Sequence, residues 1–319
     1  MAVSNLFRFA GMQFIGTQFG GTVSLGGVTT SAINPNPQVV QDYADGGIHP
    51  TRTTIQSFAE ELSFTTTNID KALDLIGSIG NCIEDGSSVV IYYALLSACA
   101  KGPAAGSVHR RVTISQTGSD AGLVHPGSFS CDHRGDASYS FMIKPKSDGV
   151  NSPLVIEDSV ALPAALLTSV DNQNRYTIGP VTLESVAYDG VKQLSCELGI
   201  AITRESADSE IFDEFIAIEK TATKISLSGI NPKWITAANI DGSVITHANT
   251  EIILRKRAGA AGFVAPATAE HISLTLAGLV VPTNVASSND QQPVQTGIDI
   301  YAEFDGTNVP LVVQTGVAY

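Results

Sequence analysis

The chain has 319 residues, of which 43% are hydrophobic and only 15% charged, and its formal net charge is −13. This length and hydrophobic content predict a folded protein with room for two domains, and they exclude a disordered chain. The negative charge excludes proteins that bind a phosphate backbone by releasing its counterions. The four cysteines are widely spaced, which indicates reduced structural thiols rather than a disulfide framework.

Residues 1–30 carry pairs of glycines on both sides of a short alternating run, Thr22–Leu25. Two interpretations are open: an extended arm that becomes ordered against a neighbouring chain, or the first hairpin of a domain. We expect no secretory signal, because Arg8 interrupts the apolar stretch at the start and no cleavage site follows it. The longest apolar run, Val89–Ala100, is shorter than the roughly 20 residues that a membrane-spanning helix requires.

The stretch Glu61–Gly77 predicts a strand followed directly by a short helix. Apolar residues alternate with serine and threonine over its first part, which is typical of a half-buried strand. Thr67 or Asn68 is expected to cap the helix with its side-chain oxygen, and Gly77 or Gly80 is expected to end it. The apolar stripe of the helix, which must pack on a sheet, is Ile69, Leu73 and Ile76.

The same strand-and-helix pattern returns in Lys224–Ile235. The segments downstream of the two copies also match in layout: Val89–Ser115 with Glu251–Thr275, Leu123–Pro126 with Leu279–Pro282, and Tyr139–Ile143 with Ile298–Phe304. The period is about 160 residues, far above the roughly 20–50 of solenoid repeats. The sequence therefore predicts two tandem domains of one kind, residues 1–150 and 151–319. The alternative is that two unrelated β domains share a generic pattern.

The charges are concentrated in a few segments, of which Glu205–Glu219 is the most acidic. Its carboxylates are candidates for the lining of a lumen or for contacts between subunits, unless they form an ordinary solvated face. These residues are Glu205, Asp208, Glu210, Asp213, Glu214 and Glu219. Basic clusters are candidate partners for them in a neighbouring subunit, or solvated strand edges that prevent unwanted pairing. The basic candidates are Arg110, Arg111, Arg255, Lys256 and Arg257.

Motifs for catalysis are absent from the sequence: we find no dinucleotide fingerprint, Walker loop, nucleophile elbow or zinc-protease helix. The best metal candidate is the group His125, Cys131, Asp132 and His133. It lacks the ligand number and spacing of a structural zinc site, so a polar loop with an incidental cysteine is the preferred interpretation. We therefore predict a protein that is not an enzyme and that holds neither a metal nor a cofactor.

The two segments Glu61–Gly77 and Lys224–Ile235 resemble the strand-then-helix unit of major tail tube proteins of long-tailed, siphovirus-like bacteriophages. The duplication resembles the variant of that family that carries its domain twice in one chain. The resemblance implies a mainly β fold with two tandem β-sandwich or half-barrel domains, each with a short flanking helix. It further implies assembly into a ring with a continuous inner β-barrel, and it transfers no individual site residue.

The resemblance also implies a function. Trimeric rings with pseudo-sixfold symmetry would stack into a virion tail tube that conducts DNA during ejection, after synthesis in the cytoplasm of the host bacterium. The implied partners are further copies of the chain, tape measure and terminator proteins, and DNA in transient non-specific passage, with no membrane. An acidic bore would repel the DNA and let it slide.

Two other functions remain open alongside the tail tube. A head decoration or minor capsid protein would also be acidic, rich in β-strands and without catalytic motifs. A carbohydrate-binding tail module would need exposed aromatic side chains, of which the chain offers few, with one tryptophan and eight tyrosines.

Overall fold

The computed structural model describes residues 6–45, 48–96, 109–168, 174–183, 186–207, 210–230, 245–259, 262–288, 294–304, 306 and 309–319. Within these residues the chain is mainly β, and its strands pair in antiparallel fashion, which confirms the predicted fold class at this level. The strands of the described residues form open sheets rather than a closed barrel.

Among the residues just named, twelve strands precede residue 161 and ten follow it. The first set is β1 (Leu6–Gly16), β2 (Gly21–Leu25), β3 (Val28–Asn34), β4 (Pro37–Tyr43), β5 (Pro50–Phe58), β6 (Glu61–Thr66), β7 (Asn81–Ile83), β8 (Ser88–Leu96), β9 (His109–Ser115), β10 (Gly122–Asp132), β11 (Ser138–Pro145) and β12 (Leu154–Val160). The second set is β13 (Tyr176–Leu183), β14 (Val186–Ala187), β15 (Val191–Glu197), β16 (Ala201–Glu205), β17 (Phe215–Lys220), β18 (Lys224–Gly229), β19 (Ile245–Lys256), β20 (His271–Ser287), β21 (Gln295–Ala302) and β22 (Leu311–Val317). The helices are α1 (Ile69–Ile76) and α2 (Ala164–Thr168), with a 3-10 turn at Thr17–Phe19.

Two large sheets carry the hydrophobic core. The smaller has five strands in the order β12-β9-β8-β1-β2. The larger has thirteen and runs β14-β13-β19-β20-β21-β18-β15-β10-β11-β6-β3, with β22 beside β20 and β7 beside β10. The main cluster of buried apolar side chains contains residues from both sets of strands, from Met12 to Leu311. The hairpins β4–β5 and β16–β17 form separate two-stranded sheets.

The order of strand pairing repeats along the chain. The order β2-β1-β8-β9-β12 is matched by β14-β13-β19-β20-β22, and β10-β11-β6-β3 is matched by β20-β21-β18-β15. The long strand β20 takes both places because its beginning pairs with β19 and β22 and its later part with β21. Irregularities in register also fall at matching places, after Pro126 and Pro282 and after Phe9 and Ile178.

The predicted strand-and-helix unit is present as β6 and α1. Residues of β6 alternate between half-buried and buried, and Gly77 ends the helix by donating its N–H to the carbonyl of Leu73 at 2.7 Å. The predicted side-chain cap is wrong, since in this described stretch Asn68 is the N-cap residue but makes no side-chain cap hydrogen bond. The Thr66 hydroxyl instead accepts the Asn68 N–H at 3.0 Å and donates to the Gly26 carbonyl at 2.9 Å. The last residue of the strand therefore stabilises the turn into the helix.

The other predicted elements have mixed outcomes. Strand β18 has the same buried alternation as β6, but the helix predicted after it, including Trp234, lies outside the described residues. Between the two interpretations of residues 1–30, the structure supports a hairpin, because Met12 of β1 pairs with Leu25 of β2.

Candidate subunit interface

The two sets of strands meet where the end of β10 pairs with β15. Ser128 lies opposite Glu197, and Ser130 lies opposite Ser195. Between these pairs, Phe129 faces Cys196, and their exposed fractions are 1% and 0%. This strand pair makes the larger sheet continuous, and it buries apolar side chains that an open edge would leave in water.

The hairpin β16–β17 completes this junction by docking on the base of the other hairpin. The Phe58 N–H donates to the Ile211 carbonyl at 2.7 Å, and the Phe58 and Phe212 rings stack with centroids 5.4 Å apart. The Ser147 N–H donates to the Asp213 carbonyl at 2.8 Å. Backbone pairing and ring stacking therefore hold the hairpin in one position.

A cluster of charged side chains lies under this hairpin. Arg204 Nη1 lies 3.0 Å from Asp213 Oδ2, and Arg204 Nη2 donates to the Glu60 carbonyl at 2.6 Å. Burial raises the pKa of Glu60 and of Asp213 and lowers the pKa of Arg204. Because buried charges are costly unless paired, this cluster favours one specific docking of the hairpin.

The strands that correspond to β10 and β15 in the repeated order are β20 and β3, and both have open edges. Within the described residues, β3 pairs only with β6, and β20 beyond Pro282 pairs only with β21. Val285 corresponds to Phe129 by register but is 41% exposed. In the described part of the chain, the β10–β15 pairing therefore has a filled junction, and the corresponding edges of β20 and β3 have no strand partner.

The face of the larger sheet that points away from the core is rich in hydroxyl groups. The Ser128 and Ser140 oxygens lie 2.8 Å apart, and those of Ser130 and Ser138 lie 2.7 Å apart. Two lysines on this face are paired with carboxylates, Lys224 with Asp299 at 2.7 Å and Lys144 with Glu61. Other members, placed by register and alternation, are Ser63, Thr65, Ser195, Ser226 and Ser228. We call this set of residues the hydroxyl face.

The acidic candidates lie on the hairpin β16–β17 and its turn, apart from the hydroxyl face. Asp213 is paired with Arg204 at the junction. Glu205 and Glu219 are exposed on the two strands, Glu210 and Glu214 are half-buried in the turn, and Asp208 lies outside the described residues. Their predicted role in a lumen or between subunits stays a prediction.

The basic candidates have partners within their own chain. Arg110 Nε lies 2.8 Å from Asp158 Oδ1, and Arg111 pairs with Glu157 on the same strand, β12. The other contacts are Lys256 with Glu270 at 2.5 Å, Arg257 with Asp136 at 3.0 Å, and Arg255 over the Phe263 ring at 4.4 Å. Contacts of these residues with a neighbouring subunit stay a prediction.

The remaining candidates do not form a site. Among the described residues, no three His, Cys, Asp or Glu side chains are grouped so that they could hold a metal ion. His125 is buried and its Nδ1 lies 3.1 Å from the Pro126 carbonyl, whereas His133 is exposed. In the same part of the chain, no helix has the length and apolar character needed to cross a bilayer.

Sequence reasoning did not find the open edges or the hairpin contact. The signal that could have found them is a constant spacing in the sequence: the same number of residues separates Asn34 from Glu61 as separates Glu197 from Lys224. The members of each pair lie opposite each other in the register. No protein-family model matches the chain, and no curated protein matches it.

Proposed function

We propose that the chain consists of two copies of one domain. The support is the repeated order of pairing, together with matching irregularities of register in three pairs of strands. In this proposal β12 closes the first copy, because it pairs with β9 as β22 pairs with β20. The first copy then extends a little beyond the boundary at residue 150 that the sequence predicts.

We further propose that copies of the chain join head to tail, with the β10–β15 junction as the template. One observation carries this proposal: the surfaces that meet inside the chain are present again, uncovered, as the open edges of β20 and β3. By equivalence, the expected pairs between chains are Asn284 with Asn34 and Ala286 with Ala32. Such a contact uses two different surfaces, so it generates a ring when the rotation closes.

The function that this assembly supports is a structural one, the tube of a bacteriophage tail. Trimers with two similar lobes per chain would form rings that stack in the virion and conduct DNA during ejection, alongside tape measure and terminator proteins. We propose the hydroxyl face as the inner wall, because ring closure through β3 and β20 continues the larger sheet around the ring. A wall of hydroxyls whose two lysines are paired with carboxylates, in a protein of net charge −13, offers a DNA backbone little free positive charge to bind.

Electron microscopy of the purified protein tests the proposal. We expect rings or stacked tubes with a central hole and threefold symmetry, with two similar lobes for each chain. Compact monomers or knobs bound to a capsid would instead favour a head decoration protein, and a lumen lined mainly by lysine and arginine would refute the conduit.

A single substitution at the open edge provides the matched test. Val285→Arg places a charge on the side chain expected to be buried between chains, so we expect rings to be lost while the monomer stays folded. Val150→Arg is the control, because Val150 is 67% exposed and lies outside the proposed contact. Rings that survive Val285→Arg unchanged, seen by microscopy and light scattering, would refute the proposed edge contact.

A further inference from the structure

The two hairpins that project from the larger sheet are built alike. Val39 pairs with Ile55 in β4–β5, and Ile202 pairs with Ile218 in β16–β17. In each hairpin the register shifts just before that pair, and the unmatched residue lies in the second strand, Gln56 in β5 and Glu219 in β17. The residue just before β4 and the equivalent residue before β16 both have a positive φ, which is 41° for Asn36 and 59° for Gly199. The hairpins are therefore equivalent residue by residue.

The surroundings of the two hairpins differ. Hairpin β16–β17 is docked on the first copy, where Ile202 and Ile218 are half-buried. In β4–β5, the equivalent Val39 and Ile55 are 52% and 48% exposed. The tip residue Ile48 of this hairpin is 85% exposed. Hairpin β4–β5 thus exposes an apolar face, whereas the equivalent face of hairpin β16–β17 is half-buried.

The second copy carries the surface that would cover it. Phe58 and Ser147, which bind the backbone of β16–β17, correspond by register to Thr221 and Phe304. The equivalence of the last pair is supported by matching hydrogen bonds just before it, from Lys146 N–H to the Ala121 carbonyl and from Glu303 N–H to the Ala277 carbonyl.

This receiving surface is uncovered in the single chain. Thr221 is exposed, and the exposed fractions of Tyr301 and Phe304 are 43% and 64%. Tyr301 lies opposite Lys224 and therefore belongs to the hydroxyl face, whereas Phe304 is a large apolar side chain of the kind that a partner-binding surface covers.

We propose that hairpin β4–β5 of one chain docks on the second copy of the next chain, at Thr221 and Phe304. This inference rests on the proposed head-to-tail assembly and names a second contact within it. By equivalence, His49 lies beside Thr221, and the Phe304 N–H donates to the Pro50 carbonyl.

The chemistry of this contact differs from that of its twin. Gln41 and Pro50 of hairpin β4–β5 correspond by register to Arg204 and Asp213, which form an ion pair in the other hairpin. The contact between chains therefore lacks that ion pair. The docking of β4–β5 is therefore mainly apolar, and its strength depends on buried area rather than on ionic strength.

Charge placed on the apolar face tests the docking. The double variant Val39→Glu, Ile55→Glu should weaken ring formation by at least about tenfold in protein concentration, because two charges must be buried. The matched control is Val40→Glu, Thr54→Glu, which puts the same charges on the next cross-strand pair, on the opposite face of the same hairpin. We expect the control to form rings like the wild type, and equal behaviour of the two variants would refute the docking.

A cross-link gives a positive signal that does not depend on losing assembly. In a Cys82→Ser, Cys99→Ser background, His49→Cys with Thr221→Cys should link neighbouring chains into disulfide-bonded ladders, because equivalent residues in the junction are directly bridged. Each single cysteine variant is the control and should stay unlinked. Wild-type rings without a cross-link in the double variant would refute the hairpin docking and leave the proposed tube intact. Cross-linked chains that form no rings would support the docking and refute the tube.

Discussion

Strands β9 and β20 each begin with a buried histidine. These residues are His109 and His271, and each has an exposed fraction of 0%. Nδ1 of His109 accepts the Leu95 N–H at 3.2 Å, and Nδ1 of His271 accepts the Lys256 N–H at 3.1 Å. Each ring thus satisfies a backbone donor at the end of the preceding strand, where ladder pairing stops. The same solution at equivalent positions is residue-level support for the duplication.

Removal of this acceptor should cost stability. His271→Ala leaves the part-buried Lys256 N–H without its partner, and we expect a loss of about 1–3 kcal/mol in the free energy of unfolding in addition to the cavity term. His271→Asn also loses ring volume but keeps an acceptor near the Nδ1 position, so it should lose less. Urea unfolding of both variants measures the difference, and equal losses would show that the hydrogen bond is unimportant.

His125 should make stability depend on pH. Burial lowers its pKa from 6.5, and Arg204 nearby acts in the same direction, so the unfolded chain takes up a proton before the folded one does. Stability is therefore fully present above pH 6.5 and is lost as pH falls through the lowered folded-state pKa. His125→Val, which copies the equivalent Val281, should lack this loss.

Unfolding free energies at a series of pH values would check the role of His125. Burial raises the pKa of Glu60 and of Asp213, so protonation of these carboxyls makes the folded protein more stable as pH falls. In the wild type this effect opposes that of His125 on the free energy of unfolding. The difference between wild type and His125→Val cancels their effect. A difference that stays constant from pH 7.5 to below 6.5 would contradict the assignment.

At the scale of the element, periodicity was enough to predict β6, α1 and the strand β18, because alternation and helical spacing are local properties of the sequence. The cap was not predictable, since its acceptor, Thr66, belongs to the preceding strand and is oriented by Gly26 from another part of the chain. The composition of the acidic segment Glu205–Glu219 likewise did not indicate that Asp213 would form an ion pair with Arg204. Long-range register decides both outcomes.

The hydroxyl of Thr66 gives the element-scale prediction. Thr66→Val keeps the shape of a fully buried side chain but removes the acceptor of the Asn68 N–H, so we expect a loss of about 1–3 kcal/mol. Thr65→Val, on the opposite face of the same strand, is the control and should change stability little. Thermal unfolding measures both, and equal shifts in Tm would argue against the role of the hydroxyl.

At the scale of the whole molecule, the proposed contact has a direction. The open edge of β3 and hairpin β4–β5 lie at one end of the repeated order, and β20 with Phe304 lies at the other. Because the two surfaces differ, each chain can in principle bind one neighbour at each end, and the assembly continues until it closes. Blocking one end should therefore stop growth without removing the other contact.

A mixture of two blocked chains tests this polarity. At the lowest protein concentration at which the wild type forms rings, Val285→Arg alone and the Val39→Glu, Ile55→Glu variant alone should each remain at the monomer mass of 33.3 kDa, because each has one of the two surfaces weakened. Mixed in equal amounts, they still possess one intact pair of surfaces, so we expect dimers at twice that mass and no rings. Light scattering after size-exclusion chromatography measures this. Dimers of one variant with itself would indicate a symmetric contact, which is incompatible with head-to-tail assembly, whereas a mixture that stays monomeric would show that these surfaces do not bind each other.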